Sequence, residues 1–125
     1  MGNDELHYGM SLKLYFADKA FGPGMSVLLR GIQTTGSLQG AAQAMHMAYS
    51  KAWKILKESE KAWGFPLTER ETGGRDGGGS ALTYQALELL GAYDAFTEEA
   101  RAELDKLFLK HFSPEWVEEL RKIGE

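Results

Sequence analysis

Four lysines recur within one short stretch of the chain, at positions 51, 54, 57 and 61. Two arginines, Arg70 and Arg75, then stand at the base and tip of a run with five glycines between Gly73 and Gly79. These residue types suit an anionic polymer. Lysine meets a phosphate as a point charge, and the arginine fork bonds two oxygens at once. Glycine lets the backbone approach closely, and its amides donate to phosphate oxygens. An arginine on a thin loop also fits the negative potential of a narrow minor groove. The plainer alternatives are a solvated lysine face and a flexible surface loop. A nucleotide-phosphate loop is discounted because no Gly-Lys-Ser/Thr ending follows the glycines.

Other chemistry is poorly supplied. The 125 residues include no cysteine, so no thiolate nucleophile, disulfide framework or thiolate metal site is expected. His7, His46 and His111 are far apart and none has metal-ligand spacing. No nucleophile elbow or acid–base pair is visible, so neither a catalytic residue nor a cofactor is expected and the chain is read as a non-enzyme. No apolar run approaches the ~18 residues of a membrane span. The polar, acidic start is not a leader, and a cytoplasmic location is expected.

The net charge of −4 looks wrong for phosphate binding, but its distribution matters more than its sum. Residues 30–76 carry +2, residues 1–29 carry −1 and residues 77–125 carry −5.

The elements that must position the cations follow from periodicity. Leu12, Leu14 and Phe16 alternate with Lys13 and Tyr15 as in a half-buried strand. Ala17-Asp18-Lys19 can turn, and Ala20-Phe21 can return, giving an N-terminal hairpin. Met25, Leu28, Leu29 and Ile32 predict a helix from about 24 to 35, ended by Gly36. Ser37 is a candidate cap for a second helix with Leu38, Ala41, Ala42 and Met45 on one face. A turn at His46-Met47 leads to a third helix, over about 48–63. Ala52, Leu56, Ser59 and Trp63 share its inner face, and Gly64 ends it. Trp53 is read as core and Tyr49 as marginal. Leu67 to Arg70 and Ser80 to Leu82 predict a hairpin around the glycines. Thr83 caps a long helix of ~40 Å. Ser113-Pro114 opens a final short helix with Trp116, Val117, Leu120 and Ile123 on its apolar face.

The result is a mainly α chain with a little β: a winged helix-turn-helix with an N-terminal β-hairpin and a long C-terminal dimerisation helix. The expected division is a DNA-binding domain over 1–82 and a helical dimerisation extension over 83–125. In a helix-turn-helix the first helix braces the second, whose N-terminal end enters the major groove. Tyr49, Ser50, Lys51 and Lys54 lie near that end.

These residues also carry a resemblance. The runs Thr35-Gly36-Ser37-Leu38 with Ala41-Ala42, then Tyr49-Ser50-Lys51-Ala52-Trp53, are followed by Leu67-Thr68-Glu69-Arg70-Glu71-Thr72-Gly73-Gly74-Arg75-Asp76-Gly77-Gly78-Gly79 and Leu82-Thr83. Over about 12–104 the chain resembles the N-terminal winged-helix domain of the ModE family of bacterial molybdenum-dependent transcriptional regulators, which is related to LysR-type regulators. The resemblance implies a homodimeric transcription factor bound to double-stranded DNA. The implied contact set is Ser37, Gln39, Tyr49, Ser50, Lys51, Lys54, Arg70, Gly73, Gly74, Arg75 and Gly77. Leu90, Tyr93, Ala100, Leu104, Leu107 and Phe108 are expected to join two copies. Three positions depart from the family pattern. His46 stands at a turn glycine, Ala48 at a capping serine and Asp76 at a wing glycine. The family's C-terminal molybdate-binding domains are not expected in this chain. A winged helix that keeps its dimer surface without binding DNA, acting as a protein-interaction module, is the alternative.

Overall fold

The computed structural model describes residues 4–70 and 79–124. Its elements follow the order β1 (Leu14–Tyr15), β2 (Lys19–Phe21), α1 (Pro23–Thr35), α2 (Leu38–Ala44), α3 (Tyr49–Trp63), β3 (Thr68–Arg70), β4 (Ser80–Leu82), α4 (Tyr84–His111) and α5 (Pro114–Lys122). This is the predicted winged helix-turn-helix, with two small antiparallel sheets, β1–β2 and β3–β4.

The first hairpin is shorter than the alternation predicts. Phe16 N–H donates to the Asp18 carbonyl at 3.1 Å, which turns the chain one residue early. Its ring is therefore 59% exposed and rests edge-on against Trp63 at 5.1 Å. Leu12 and Leu14 do pack against the core.

The protein divides into two compact units, one of Ser11–Tyr93 and one formed by the chain before and after it. In the Ser11–Tyr93 unit the core joins all three short helices, both hairpins and the start of α4. Phe21, Leu28, Leu29, Ile32 and Leu67 are fully buried, at about 1.5–3 kcal/mol for each such side chain. In the other unit the Tyr8 ring packs on Phe108 at 5.4 Å, and Phe108, Phe112 and Trp116 continue as a ladder at 5.7 and 5.8 Å. The Tyr8 hydroxyl donates to Asp105 Oδ1 at 2.5 Å. That bond holds the proton and raises the phenol pKa above its ordinary value.

Caps behave as their residues dictate. Gly36 and Gly64 end α1 and α3 at φ of 86° and 87°, the left-handed region that glycine adopts freely. The Thr83 hydroxyl accepts Ala86 N–H at 3.1 Å to start α4, and the Ser113 hydroxyl accepts Trp116 N–H at 3.2 Å to start α5. At 28 residues α4 is about 42 Å long.

The α1–α2 contact needs glycine for space. A Cβ on Gly31 would stand 2.8 Å from the Ala41 Cβ, whereas one on Gly91 of α4 would meet nothing within 4 Å. Gly31→Val is therefore expected to cost about 1–3 kcal/mol through overpacking. Gly91→Ala is expected to add about 0.5–1 kcal/mol. Urea denaturation of both variants checks the opposite signs.

Candidate nucleic-acid interface

The helix pair is set by its turns. Gly36 N–H donates to the Ile32 carbonyl at 2.8 Å, and the Ser37 hydroxyl accepts Gly40 N–H at 2.9 Å. These bonds start α2 with only Gly36 and Ser37 between it and α1, and Leu38, Ala41 and Ala42 bury its inner face. The chain turns again at His46, which takes φ of 54° in place of the family's glycine. Histidine tolerates that region better than most side chains. Met47 N–H closes the turn on the Ala42 carbonyl at 2.9 Å.

Helix α3 starts without a side-chain cap. Ala48 is extended at φ −63° and ψ 141°, and its methyl accepts nothing. The rotation of α3 about its axis is fixed further along. The Ser59 hydroxyl and the Trp63 indole N–H both donate to the Ala20 carbonyl of β2, at 2.5 and 3.0 Å. Ala52, Leu56 and Ser59 are then inside, and Tyr49, Ser50, Lys51, Lys54 and Lys61 are outside.

Trp53 corrects the sequence reading. It is 49% exposed rather than core. At about 100° per residue it lies a quarter-turn from Ala52, on the same flank as Tyr49 one turn before it. Lys57 sits 5.8 Å from the centroid of its ring. The sequence signal was available in that spacing, but the large apolar side chain outweighed it.

The second hairpin reaches the same side. Arg70 pairs with Ser80 across the β3–β4 ladder, and directly opposed residues share a face. Ser80 N–H donates to the Gly36 carbonyl at 2.8 Å, tying the returning strand to the α1–α2 turn. Ser37, Leu38, Gln39, Tyr49 and Ser80 together line a concavity of about 370 Å³. The start of α2, the tip of α3 and the base of the wing therefore meet around one depression. Arg70 is exposed. Among the described residues Lys51, Lys54 and Arg70 make no ion pair, whereas Lys57 pairs with Glu60 at 3.2 Å. Gly73, Gly74, Arg75 and Gly77 of the expected contact set, and Asp76 beside them, lie outside the described residues.

Two of the six residues expected to join subunits are placed elsewhere. Leu90 and Tyr93 are buried, at 4% and 6% exposure. The Tyr93 hydroxyl donates to the Leu12 carbonyl at 2.8 Å, and its ring lies 4.9 Å from Phe21. They serve their own subunit's core because the N-terminal segment and β2 cover that face of α4. Ala100, Leu104 and Phe108 are half-buried, and Leu107 is exposed. The large apolar side chains that α4 leaves exposed also include Leu87, Phe96 and Leu109.

Among the described residues no group of three His, Asp or Glu is placed to hold a metal ion, and no helix is long and apolar enough to cross a membrane.

Comparison with known proteins meets this geometry. Residues 27–87 match the bacterial regulatory helix-turn-helix protein family of lysR type. The transcriptional regulator ModE of Haemophilus influenzae is 46% identical over 67 residues, which are 54% of this chain and 26% of that protein. The DNA-binding transcriptional dual regulator ModE of Escherichia coli K12 is 33% identical over 101 residues, 78% of this chain and 37% of that one. The molybdenum-pterin-binding protein MopB of Rhodobacter capsulatus is 29% identical over 123 residues, 98% and 45%. The chain thus spans less than half the length of these relatives.

The bare start of α3 has a measurable consequence. Because Ala48 already has the extended backbone of a cap, Ala48→Ser is expected to raise stability by about 0.5–2 kcal/mol, read from the urea midpoint. No change would mean that the new hydroxyl does not reach the first-turn amides.

Proposed function

We propose that this chain, whose residues 27–87 match the lysR-type bacterial regulatory helix-turn-helix family and which is similar to ModE regulators, binds duplex DNA as a homodimeric transcriptional regulator. In this reading α3 enters the major groove by its N-terminal end. The hairpin over about 67–82 rests on the flanking backbone. The start of α4 belongs to the core of the binding domain, and the chain beyond Tyr93 joins two copies. The family is a regulatory one, so no turnover is proposed.

The observation that carries the reading is the shared concavity. Tyr49 at the tip of α3, Ser37 and Gln39 at the start of α2, and Ser80 beside Arg70 line one depression. Exposed cations stand at its helix and its wing. A major groove about 12 Å wide admits a helix with its side chains. Backbone amides at the start of α3, like other helix N-termini, favour phosphate. Ser50 and Lys51 are placed to reach base edges or phosphates, and Lys54 and Arg70 to reach phosphates. For a dimer to meet one face of the duplex its recognition helices stand about 34 Å apart.

Salt dependence tests this. If Lys51, Lys54, Arg70 and Arg75 of both subunits each meet a phosphate, about eight counterions are released. The slope of log K against log salt is then roughly −7. Arg70→Ala with Arg75→Ala is expected to bring it to roughly half that value while circular dichroism stays unchanged. A wild-type slope near zero would remove the contact model and leave the protein-interaction module as the reading. Sedimentation of the free protein checks the dimer separately.

A further inference from the structure

One carboxylate joins the recognition helix to the wing. Glu60 lies in the last turns of α3, with its side chain 13% exposed. Its Oε2 accepts the Leu67 N–H at 2.7 Å, and its Oε1 pairs with Lys57 Nζ at 3.2 Å. The Lys57 ammonium in turn lies over Trp53. Leu67 is the residue before β3, and its side chain is fully buried. Its carbonyl accepts Thr83 N–H at 3.1 Å, just past β4. Both backbone groups of Leu67 are therefore taken, one by α3 and one by the returning strand. The Thr83 hydroxyl adds a bond to the Pro66 carbonyl at 2.9 Å. The base of the wing is held from both sides, and on the α3 side the Glu60 carboxylate supplies the hydrogen bond.

We propose that Glu60 is a positioning residue for duplex binding. It fixes where the wing's first strand leaves α3, and so where Arg70 stands relative to the helix tip three β-residues and one helix length away. The proposal rests on the duplex reading above and adds to it a residue that contacts no DNA. A hydrogen bond to an ionised acceptor is roughly twice as strong as a neutral one, and at this burial solvent screens it little. Arg70 meets a phosphate without a further ordering cost only if the strand that carries it already has one position. Without Glu60, Leu67 N–H loses its acceptor, and the wing must be ordered on binding at an entropic cost. The plainer reading is that Glu60 adds stability and nothing more. The two differ in whether its loss is coupled to Arg70.

The test uses the full chain as wild type, Glu60→Ala, Glu60→Gln, Arg70→Ala and the Glu60→Ala/Arg70→Ala pair. Hydrogen exchange at the Leu67 amide and affinity for a genomic duplex selected by the wild type are measured on each. Glu60→Ala is expected to speed Leu67 exchange about tenfold or more, and Glu60→Gln, which keeps an acceptor, restores most of the protection. Duplex affinity is expected to fall for Glu60→Ala, with recovery in Glu60→Gln. Arg70→Ala then costs clearly less in the Glu60→Ala background than alone, the sign of coupled residues. Additive losses, or Leu67 exchange unchanged by Glu60→Ala, overturn the positioning role while leaving duplex binding intact. A wild type without salt-dependent duplex binding overturns the duplex reading and the positioning role together. If Glu60→Ala does not fold, Glu60→Met, of similar length and without an acceptor for this amide, takes its place in the cycle.

Discussion

The carbonyl of Ala20 decides which face of α3 the solvent meets. Ser59 and Trp63, four residues apart, both donate to that one oxygen. A single bond would leave the helix free to roll by a fraction of a turn. Two bonds from adjacent turns, over the buried side chains of Ala52 and Leu56, do not. Because residues four apart lie on one face, fixing Ser59 and Trp63 inward also fixes Ser50, Lys54 and Lys61 outward. Ser59 is one of two buried polar residues in the described core, and its hydroxyl would carry a desolvation cost without this acceptor. The polar bond therefore specifies an orientation that apolar packing alone would hold less tightly.

The wing depends on the same logic of backbone groups that find partners. Its strands are only three residues each and could not stand alone as a two-stranded sheet. Ser80 is tied to Gly36, Leu67 to Glu60 and Thr83, and Pro66 to Thr83. Each of these bonds reaches the Ser11–Tyr93 unit outside the hairpin or closes its base. A short hairpin with a fixed base holds Arg70 and Ser80 in place at the end of its ladder.

Much of this was legible from residue types. The helix pair, the hairpins, the caps at Gly36, Ser37, Gly64, Thr83 and Ser113, and the left-handed turn at His46 follow from local rules that tertiary structure did not override. The misses have physical causes. The size of Trp53 argues for the core, but its place a quarter-turn from Ala52 sets it off the inner face that Ala52, Leu56 and Ser59 share. Leu90 and Tyr93 were assigned to a second copy because their stripe is apolar, and periodicity cannot say whether a stripe meets its own chain or another. Glu60 drew no notice because one carboxylate on a charged helix looks solvated until Leu67 is brought beside it. The concavity beside Tyr49 joins residues of α2 with its cap, α3 and β4, which a linear reading can name but not assemble.

The uncapped start of α3 belongs to the same interface. Capping residues satisfy first-turn amides, and a helix lacking one gives up stability. At Ala48 that loss leaves the Tyr49 and Ser50 amides without a side-chain acceptor, at the end of the helix that borders the concavity. An amide already bonded to its own cap must break that bond before it meets a phosphate, whereas a free one need not. The adjoining helix shows the contrast, since the Ser37 hydroxyl does hold Gly40 N–H at the start of α2. The two helix starts thus face one depression in different states. One is internally satisfied and serves as a brace. The other has no side-chain cap, and the exposed Lys51 follows in its first turn, so the helix start and that cation both favour an anion.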